Sequence, residues 1–480
     1  MTMHRGHSQR GTAFAYIGIA MFALVGFTGL AVDLGRGYVI KANLSKAVDA
    51  AALAAARGIG EGESAARALA NNIFNVNFPN GYLGVTSVQN PPQIAFSDAS
   101  DQSSVITVSS RAVMPTTFMQ IAGFAELGIA AQSQATRRLV DMSFVVDHSN
   151  SLASDYDQVK AAAEQFVSYF DADKDRVALM MFATNTIVMD PINTGGRGFN
   201  KSSLLNHISG STTGVFSTAT AEGLYAGWDQ LRSVPSSSQA PLRVIVLFTD
   251  GAPNTFSGQF MVKPCHNCAG ALVPATGALF TSDYPAADGQ GPAVTGVCQT
   301  YGTLSDTFPH YVSPTNSNYT SGRNPNLQFV NLDIPSMPLT SFHPTHVSSG
   351  IPTAFNLYDS SLAGQRVLVG GTGTDYPDHV QNANNASRNL AEIIANAARA
   401  DSSGAQPIRI YTLGLGDLLN QPAGSRPETG ASILMRIAND PASPSFNPNQ
   451  AEGKYYFAGD TSQLATAFEA IRNQIVRLSQ

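Results

Sequence analysis

Two apolar runs in this chain each end in an aspartate, and this pattern limits the possible folds more than any other feature. The first run, 142–146, precedes Asp147, and the second, 242–248, is followed by Thr249 and Asp250. Short runs rich in β-branched and aromatic residues are typical of strands buried on both faces of a parallel sheet. Side chains at the ends of such strands lie at the carboxyl edge of the sheet, where open α/β folds bind their ligands.

Hydroxyl side chains accompany both aspartates. Ser149 and Ser151 follow Asp147 in a D-x-S-x-S spacing, and Thr218 stands five residues before a Gly-Leu pair at the start of a predicted helix. Carboxylate and hydroxyl oxygens are hard donors that suit Mg²⁺, Mn²⁺ or Ca²⁺ better than soft metals. The pattern therefore predicts a divalent-cation site, and a structural turn with a helix cap is the alternative.

The order D-x-S-x-S, then T, then D resembles the metal-ion-dependent adhesion site of von Willebrand factor type A domains. By that resemblance the metal-site positions are Asp147, Ser149, Ser151, Thr218 and Asp250. The resemblance implies that the hydroxyls bind Mg²⁺, or Mn²⁺ or Ca²⁺, directly and that the aspartates act directly or through water. It also implies an open coordination position that takes a carboxylate from a partner protein.

The N-terminal stretch 11–32 contains no charged residue and is long enough to span a bilayer as a helix. A cleaved secretory signal is the alternative, although its apolar core is ordinarily shorter. Beyond the stretch, Ile40, Leu44 and Val48 recur at helical spacing, and no proline interrupts the chain before Arg57. The sequence thus predicts one long helix, half in the membrane and half outside.

The strings at 29–36 (GLAVDLGR) and 47–56 (AVDAAALAAA) resemble the N-terminal signature of TadE/TadG-like proteins of tight-adherence (Flp) pilus systems. Members of that family carry an N-terminal anchor, which the TadG-like branch often joins to a type A domain. The resemblance implies a single-pass bacterial inner-membrane protein whose N-terminal tail, 1–10, is cytoplasmic and whose later domains are periplasmic. Pilus subunits or pilus assembly proteins are the implied partners.

The predicted fold class is α/β, with a doubly wound, mostly parallel sheet of the von Willebrand type A kind. A helix extension and a small α+β, pilin-like stalk are expected over 33–138, and the type A-like domain over 139–480. Alternating strand and helix patterns support the parallel sheet. Its strands are predicted at 142–147, 176–182, 242–249 and 408–414.

A long insertion, 255–375, interrupts the type A-like domain and is rich in Gly, Pro, Ser, Thr and Asn. Short strands are predicted within it at 327–334 and 366–369. Loops of this length are uncommon unless they are functional or disordered. A binding role and a tolerated surface insertion are both open.

All three cysteines lie in the insertion: Cys265, Cys268 and Cys298. A disulfide from Cys265 or Cys268 to Cys298 would staple it and leave one thiol over. A zinc site completed by Cys298 or His310 and a redox C-x-x-C pair are the alternatives.

The formal net charge of −6 argues against a nucleic-acid partner. The leading hypothesis is a membrane-anchored, metal-dependent adhesion protein that is not an enzyme, and the alternative is a scaffold in which the metal only stabilises the domain. A metal-assisted phosphoesterase would need a cation such as Arg243 or Lys201 near the site. His148, between two metal-site positions, is interpreted as incidental.

Overall fold

The computed structural model describes residues 10–98, 103–183, 186–213, 218–262, 273–281, 294–298, 366, 376–401, 404, 406–422 and 428–478. Within them the chain forms two compact units, one ending at Arg137 and the other beginning at Arg138. Cys265, Cys268 and the predicted strand 327–334 lie outside the described residues.

The first unit is built on one uninterrupted helix, α1 (Arg10–Gly58), which confirms the predicted long helix. Its N-terminal part is exposed and is long and apolar enough to cross a membrane. Its C-terminal part packs against α2 (Glu63–Asn77), and both helices bury alanines together with larger residues such as Leu44 and Phe74. Small alanine side chains allow the two helices to approach closely.

A small antiparallel sheet completes this unit. Its strands are β1 (Ser87–Val88), β2 (Gln93–Asp98), β3 (Ser103–Pro115) and β4 (Glu126–Arg138). Strand β3 lies between β1 and β2 and also pairs with β4. Alternate residues of β3, including Ile106 and Val108, are buried in the same core as α1 and α2.

The second unit contains a six-stranded sheet in the order β13-β12-β8-β5-β6-β7. Its strands are β5 (Val140–Asp147), β6 (Arg176–Phe182), β7 (Thr186–Asp190), β8 (Leu242–Thr249), β12 (Ile408–Leu415) and β13 (Lys454–Ala458). All neighbours are parallel except β6 and β7. Every residue of β5, β6 and β8 is buried, because helices cover both faces.

The helices of this unit are α3 (Tyr156–Ser168), α4 (Lys201–Gly210), α5 (Thr220–Ser233), α6 (Tyr376–Arg399), α7 (Gly430–Ala438) and α8 (Leu464–Leu478). Helices α5, α6 and α7 share one hydrophobic core, and α3, α4 and α8 share the other. Along β5, Val145 faces the first core whereas Phe144 and Val146 face the second. This is the predicted doubly wound arrangement.

The insertion differs from its prediction. It begins with a three-stranded antiparallel sheet of β9 (Thr255–Val262), β10 (Val273–Thr281) and β11 (Val294–Cys298), which the sequence interpretation missed. The strand predicted at 366–369 is wrong for Arg366, which stands in a turn. Glycines and a proline within these segments lower their β propensity, so the pattern did not predict strands.

Arg366 is buried and forms ion pairs with two glutamates. Its guanidinium lies 2.5 Å from Glu392 of α6 and donates to Glu428 at 3.0 Å, and Arg436 of α7 reaches the same two glutamates. All four side chains are almost fully buried. Removal of one partner would leave an uncompensated buried charge, so this cluster ties part of the insertion to α6 and α7.

Two glycines let α5 lie close to the sheet. A β-carbon at Gly223 would stand 2.9 Å from both Phe182 and Val145, and one at Gly227 would stand 2.9 Å from Val145. The close approach positions the N-terminus of α5, and with it Thr218, which lies two residues before the helix.

We predict that Gly223→Ala lowers the free energy of unfolding by about 1–3 kcal/mol, because the extra methyl group overpacks a filled core. Gly210→Ala is the matched control, since a β-carbon there meets no atom within 4 Å. Trp228, the only tryptophan, is buried in α5 and reports unfolding of this unit by its fluorescence. Equal stability of the two variants would contradict the proposed close packing.

Candidate metal centre at the carboxyl edge of the sheet

Three segments of the chain meet at the carboxyl edge of the large sheet. Asp147 ends β5, and Asp250 directly follows β8. Because β5 and β8 are adjacent and parallel, the two carboxylates reach the same place. Thr218 joins them from the residues before α5, so the five predicted site positions lie close to one another.

A chain of hydrogen bonds joins four of these five residues. The Asp147 carboxylate accepts the Ser149 backbone N–H at 2.8 Å. The Ser149 and Ser151 hydroxyl oxygens are 2.9 Å apart, and Ser151 donates to Asp250 at 2.9 Å. The D-x-S-x-S spacing thus turns the chain so that both hydroxyls stand between the two carboxylates.

Thr218 is placed by close contact with a glycine. A β-carbon at Gly251 would stand 2.9 Å from the Thr218 hydroxyl oxygen. Only a residue without a side chain leaves room for this hydroxyl beside the end of β8, which explains the glycine after Asp250.

Two further residues position the site, and the sequence analysis did not identify them. The Thr249 hydroxyl donates to the second oxygen of Asp147 at 2.5 Å. Asn254 accepts the Thr218 backbone N–H at 2.8 Å through its side chain, and its own N–H donates to the Thr218 carbonyl at 3.3 Å. A hydroxyl directly before Asp250 and an amide four residues after it were the available signals.

The site is buried on one side and open on the other. Asp147, Ser149, Thr218 and Asp250 are all at most 8% exposed, whereas Ser151 is exposed. A ligand would therefore approach from the side of Ser151.

Two carboxylates this close and this buried disfavour ionisation. Burial raises the pKa of Asp147 above its usual range, against hydrogen bonds from Thr249 and Ser149 that lower it. Burial and the charge of Asp147 raise the pKa of Asp250 to about 8. A divalent cation would relieve both effects, because it neutralises the pair that burial and repulsion destabilise.

The donor set fits a hard divalent cation. It consists of oxygens alone, from two carboxylates and three hydroxyls, which suits Mg²⁺, Mn²⁺ or Ca²⁺. Among the described residues, no group of three or more His, Cys, Asp or Glu side chains could hold a metal. Cys298 belongs to β11, but its side chain is outside the description, so the predicted disulfide or zinc site stays a prediction.

His148 contacts main-chain oxygens through its ring and its backbone. Its Nδ1 lies 2.9 Å from the carbonyl oxygen of Thr212, and its backbone N–H donates to Phe182. The ring is buried, and its interpretation as incidental stays a prediction.

The two cations considered for a phosphoesterase lie elsewhere. Arg243 pairs in register with Asp141 at the amino edge, about 20 Å along β8 from Asp250. It approaches Asp401 at 3.6 Å, and Lys201 donates to the Ser168 carbonyl at the far end of α3. Neither residue is placed to bind a phosphate at the carboxylates.

Two protein families match separate parts of the chain. The sequence model of the von Willebrand factor type A domain matches residues 141–266. That of the Flp pilus-assembly TadE/G-like family matches residues 11–58. No curated protein matches the chain.

Solved structures are similar to this chain at low identity. The vWF domain of the type V pili tip protein Mfa5 from Porphyromonas gingivalis is 17% identical, with a TM-score of 0.36, covering 72% of this chain and 98% of that one. The pilus adhesin SpaC from Lactobacillus rhamnosus GG, in its open conformation, is 13% identical, with a TM-score of 0.34, covering 81% of this chain.

A third match is proximal thread matrix protein 1 from the mussel byssus with a zinc-occupied MIDAS motif, at 13% identity, a TM-score of 0.31 and 70% coverage of this chain. The chain spans only 45% of that protein and 34% of SpaC. Similarity at these scores carries no inference about function.

We predict that the stability of the metal-free protein falls as the pH rises from about 4 to about 8. A carboxyl whose pKa is higher in the folded than in the unfolded chain binds more protons when folded, so deprotonation destabilises the fold. The measurement is urea unfolding in a chelating buffer, followed by Trp228 fluorescence, for wild type and Asp250→Asn. The variant is expected to lose less stability over this range. If the free energy of unfolding changed with pH equally in both proteins, the proposed effect of the Asp250 carboxyl would be contradicted.

Proposed function

We infer that this chain is a TadE/G-like pilus-assembly protein with a von Willebrand factor type A domain, because both family models match segments of it. We propose that it is a metal-dependent binding protein. Its type A domain captures an acidic side chain of a protein partner through a divalent cation. The observation that carries this proposal is the oxygen cluster around Asp147 and Asp250, in which two buried carboxylates lie beside an exposed hydroxyl.

The hydroxyl and carboxylate residues have different proposed roles in binding the cation. The hydroxyls of Ser149, Ser151 and Thr218 would bind the cation directly. Asp147 and Asp250 supply the opposing charge, directly or through water. A bound divalent cation supplies an incompletely filled coordination shell that a partner carboxylate completes.

Hydrogen bonds from neighbouring residues hold the proposed metal ligands in place. Thr249 holds one oxygen of Asp147, which leaves the carboxylate a single orientation. Asn254 fixes the backbone of Thr218 from both sides. Such partners orient metal ligands before the metal arrives and so reduce the cost of ordering them.

The insertion is the proposed source of partner specificity. The insertion begins at Thr255, only five residues after Asp250, so its first strand, β9, starts beside the site. Binding loops commonly extend from a rigid scaffold in this way.

The site is proposed to face the periplasm. The exposed apolar part of α1 anchors the chain in the inner membrane, with the N-terminal tail in the cytoplasm and the later domains in the periplasm. Subunits or assembly proteins of the tight-adherence pilus are the proposed partners.

We predict that the full chain in detergent binds the pilus subunits of its own system with Mg²⁺ or Mn²⁺ and loses this binding in a chelator. Asp250→Ala should abolish binding under both conditions, because it removes a charge that holds the cation. Surface plasmon resonance, with the chain immobilised, measures its affinity for the pilus subunits.

The matched control is Asp157→Ala, since the Asp157 side chain is 92% exposed on α3 and belongs to no buried cluster. It should bind as wild type does. Equal affinity with and without metal would overturn the adhesion proposal. If cells with Asp250→Ala also assembled normal pili and adhered, the scaffold alternative would be favoured.

A further inference from the structure

The turn between β3 and β4 exposes large apolar side chains to the surroundings. Residues 116–125 contain no charged residue. Within this turn Phe118 is 38% exposed, Phe124 61% and Ile121 77%. Such exposure is costly in water when neighbouring side chains form one continuous patch, and it marks a surface that contacts something apolar.

Asp33 of α1 fixes this turn in place. Its carboxylate accepts the backbone N–H groups of Thr117 at 2.9 Å and of Phe118 and Met119 at 2.8 Å each. Asp33 is only 1% exposed. A buried carboxylate with three backbone donors is a strong attachment, so the turn is held firmly against the helix.

The turn lies beside the apolar part of α1. A β-carbon at Gly29 would stand 2.5 Å from the Phe118 side chain, so the ring rests directly on the helix backbone. A groove of about 680 Å³ lies between the turn and the helix, lined by Phe22, Val25 and Gly26 on one side and by Phe118, Ile121 and Phe124 on the other. From Asp33 to Phe22 the helix descends by about 16 Å.

Several backbone groups of the turn are hydrogen-bonded within it. The N–H groups of Ile121, Gly123 and Phe124 donate to carbonyls within the turn, and that of Thr116 donates to Ala125 across its base. Backbone groups must be paired in this way before a segment enters lipid, because no water is available there.

We propose that residues 116–125 insert into the outer part of the bilayer and that phospholipid acyl chains fill the groove beside α1. The proposal rests on the membrane crossing of α1. Lipid is favoured over a protein partner because the patch is uncharged, is continuous with the exposed apolar surface of α1 and lies level with the predicted span. The turn would then fix the depth and tilt at which the stalk stands on the membrane.

The test is quenching of tryptophan fluorescence by phospholipids brominated on their acyl chains, in the full chain reconstituted into phosphatidylcholine and phosphatidylglycerol vesicles. Ile121→Trp reports the turn, and Phe22→Trp reports the anchor. Val76→Trp is the matched control, since Val76 is 79% exposed on α2. Trp228 is present in every variant and sets a common background.

Ile121→Trp and Phe22→Trp are expected to lose a large part of their added emission, because both indole rings would lie close to the brominated acyl chains. Val76→Trp should behave as wild type does. If Phe22→Trp is quenched while Ile121→Trp matches Val76→Trp, the turn remains in water and the proposal is overturned with the anchor intact. If neither is quenched, α1 does not cross the membrane and both proposals about the membrane fail, whereas metal-dependent partner binding is untouched.

Discussion

The burial of two neighbouring carboxylates at one sheet edge is the constraint on which the type A unit depends. Asp147 and Asp250 are brought together because β5 and β8 are parallel neighbours. Burial raises the pKa of both carboxylates, and the charge of Asp147 raises the pKa of Asp250 further. The fold tolerates the pair because hydrogen bonds from Ser149, Ser151 and Thr249 stabilise the charges, and a cation would complete this compensation.

Much of the surrounding structure holds that pair in position. Helices on both faces bury every residue of β5 and β8, so the strand ends cannot shift without disturbing two cores. Gly223 and Gly227 bring α5 close to the sheet. The same logic of a buried carboxylate with backbone donors recurs in the first unit, where Asp33 secures the turn at 116–125.

The central sheet was predictable because its strands are buried on both faces and therefore appear in the sequence as short apolar runs. Predicted strands at 176–182 and 242–249 agree with β6 and β8, and those at 142–147 and 408–414 fall within one or two residues of β5 and β12. The five proposed metal-site residues could also be identified from the sequence, because four of them follow the ends of those runs and Thr218 precedes a predicted helix.

Features that depend on contacts between distant residues were not predictable. Thr249 and Asn254 look ordinary in sequence and acquire their roles only through bonds to Asp147 and Thr218. Arg366 donates a hydrogen bond to Glu428, which lies 62 residues further along the chain, and no local sequence pattern predicts such a pair. Strands β9 to β11 were missed because glycine and proline weaken the local signal, and pairing with neighbours overrides it.

The most direct test of the account is calorimetric titration of Mg²⁺ and Mn²⁺ into the full chain in detergent, with wild type beside Asp147→Ala. The account predicts one divalent ion bound per wild-type chain, with affinity that increases with pH as protons leave the carboxylates, and no binding by the variant. Unchanged binding by Asp147→Ala would place the metal elsewhere and contradict the central claim. Absence of binding by the wild type would also contradict it, unless a partner carboxylate added to the cell restored the heat of binding.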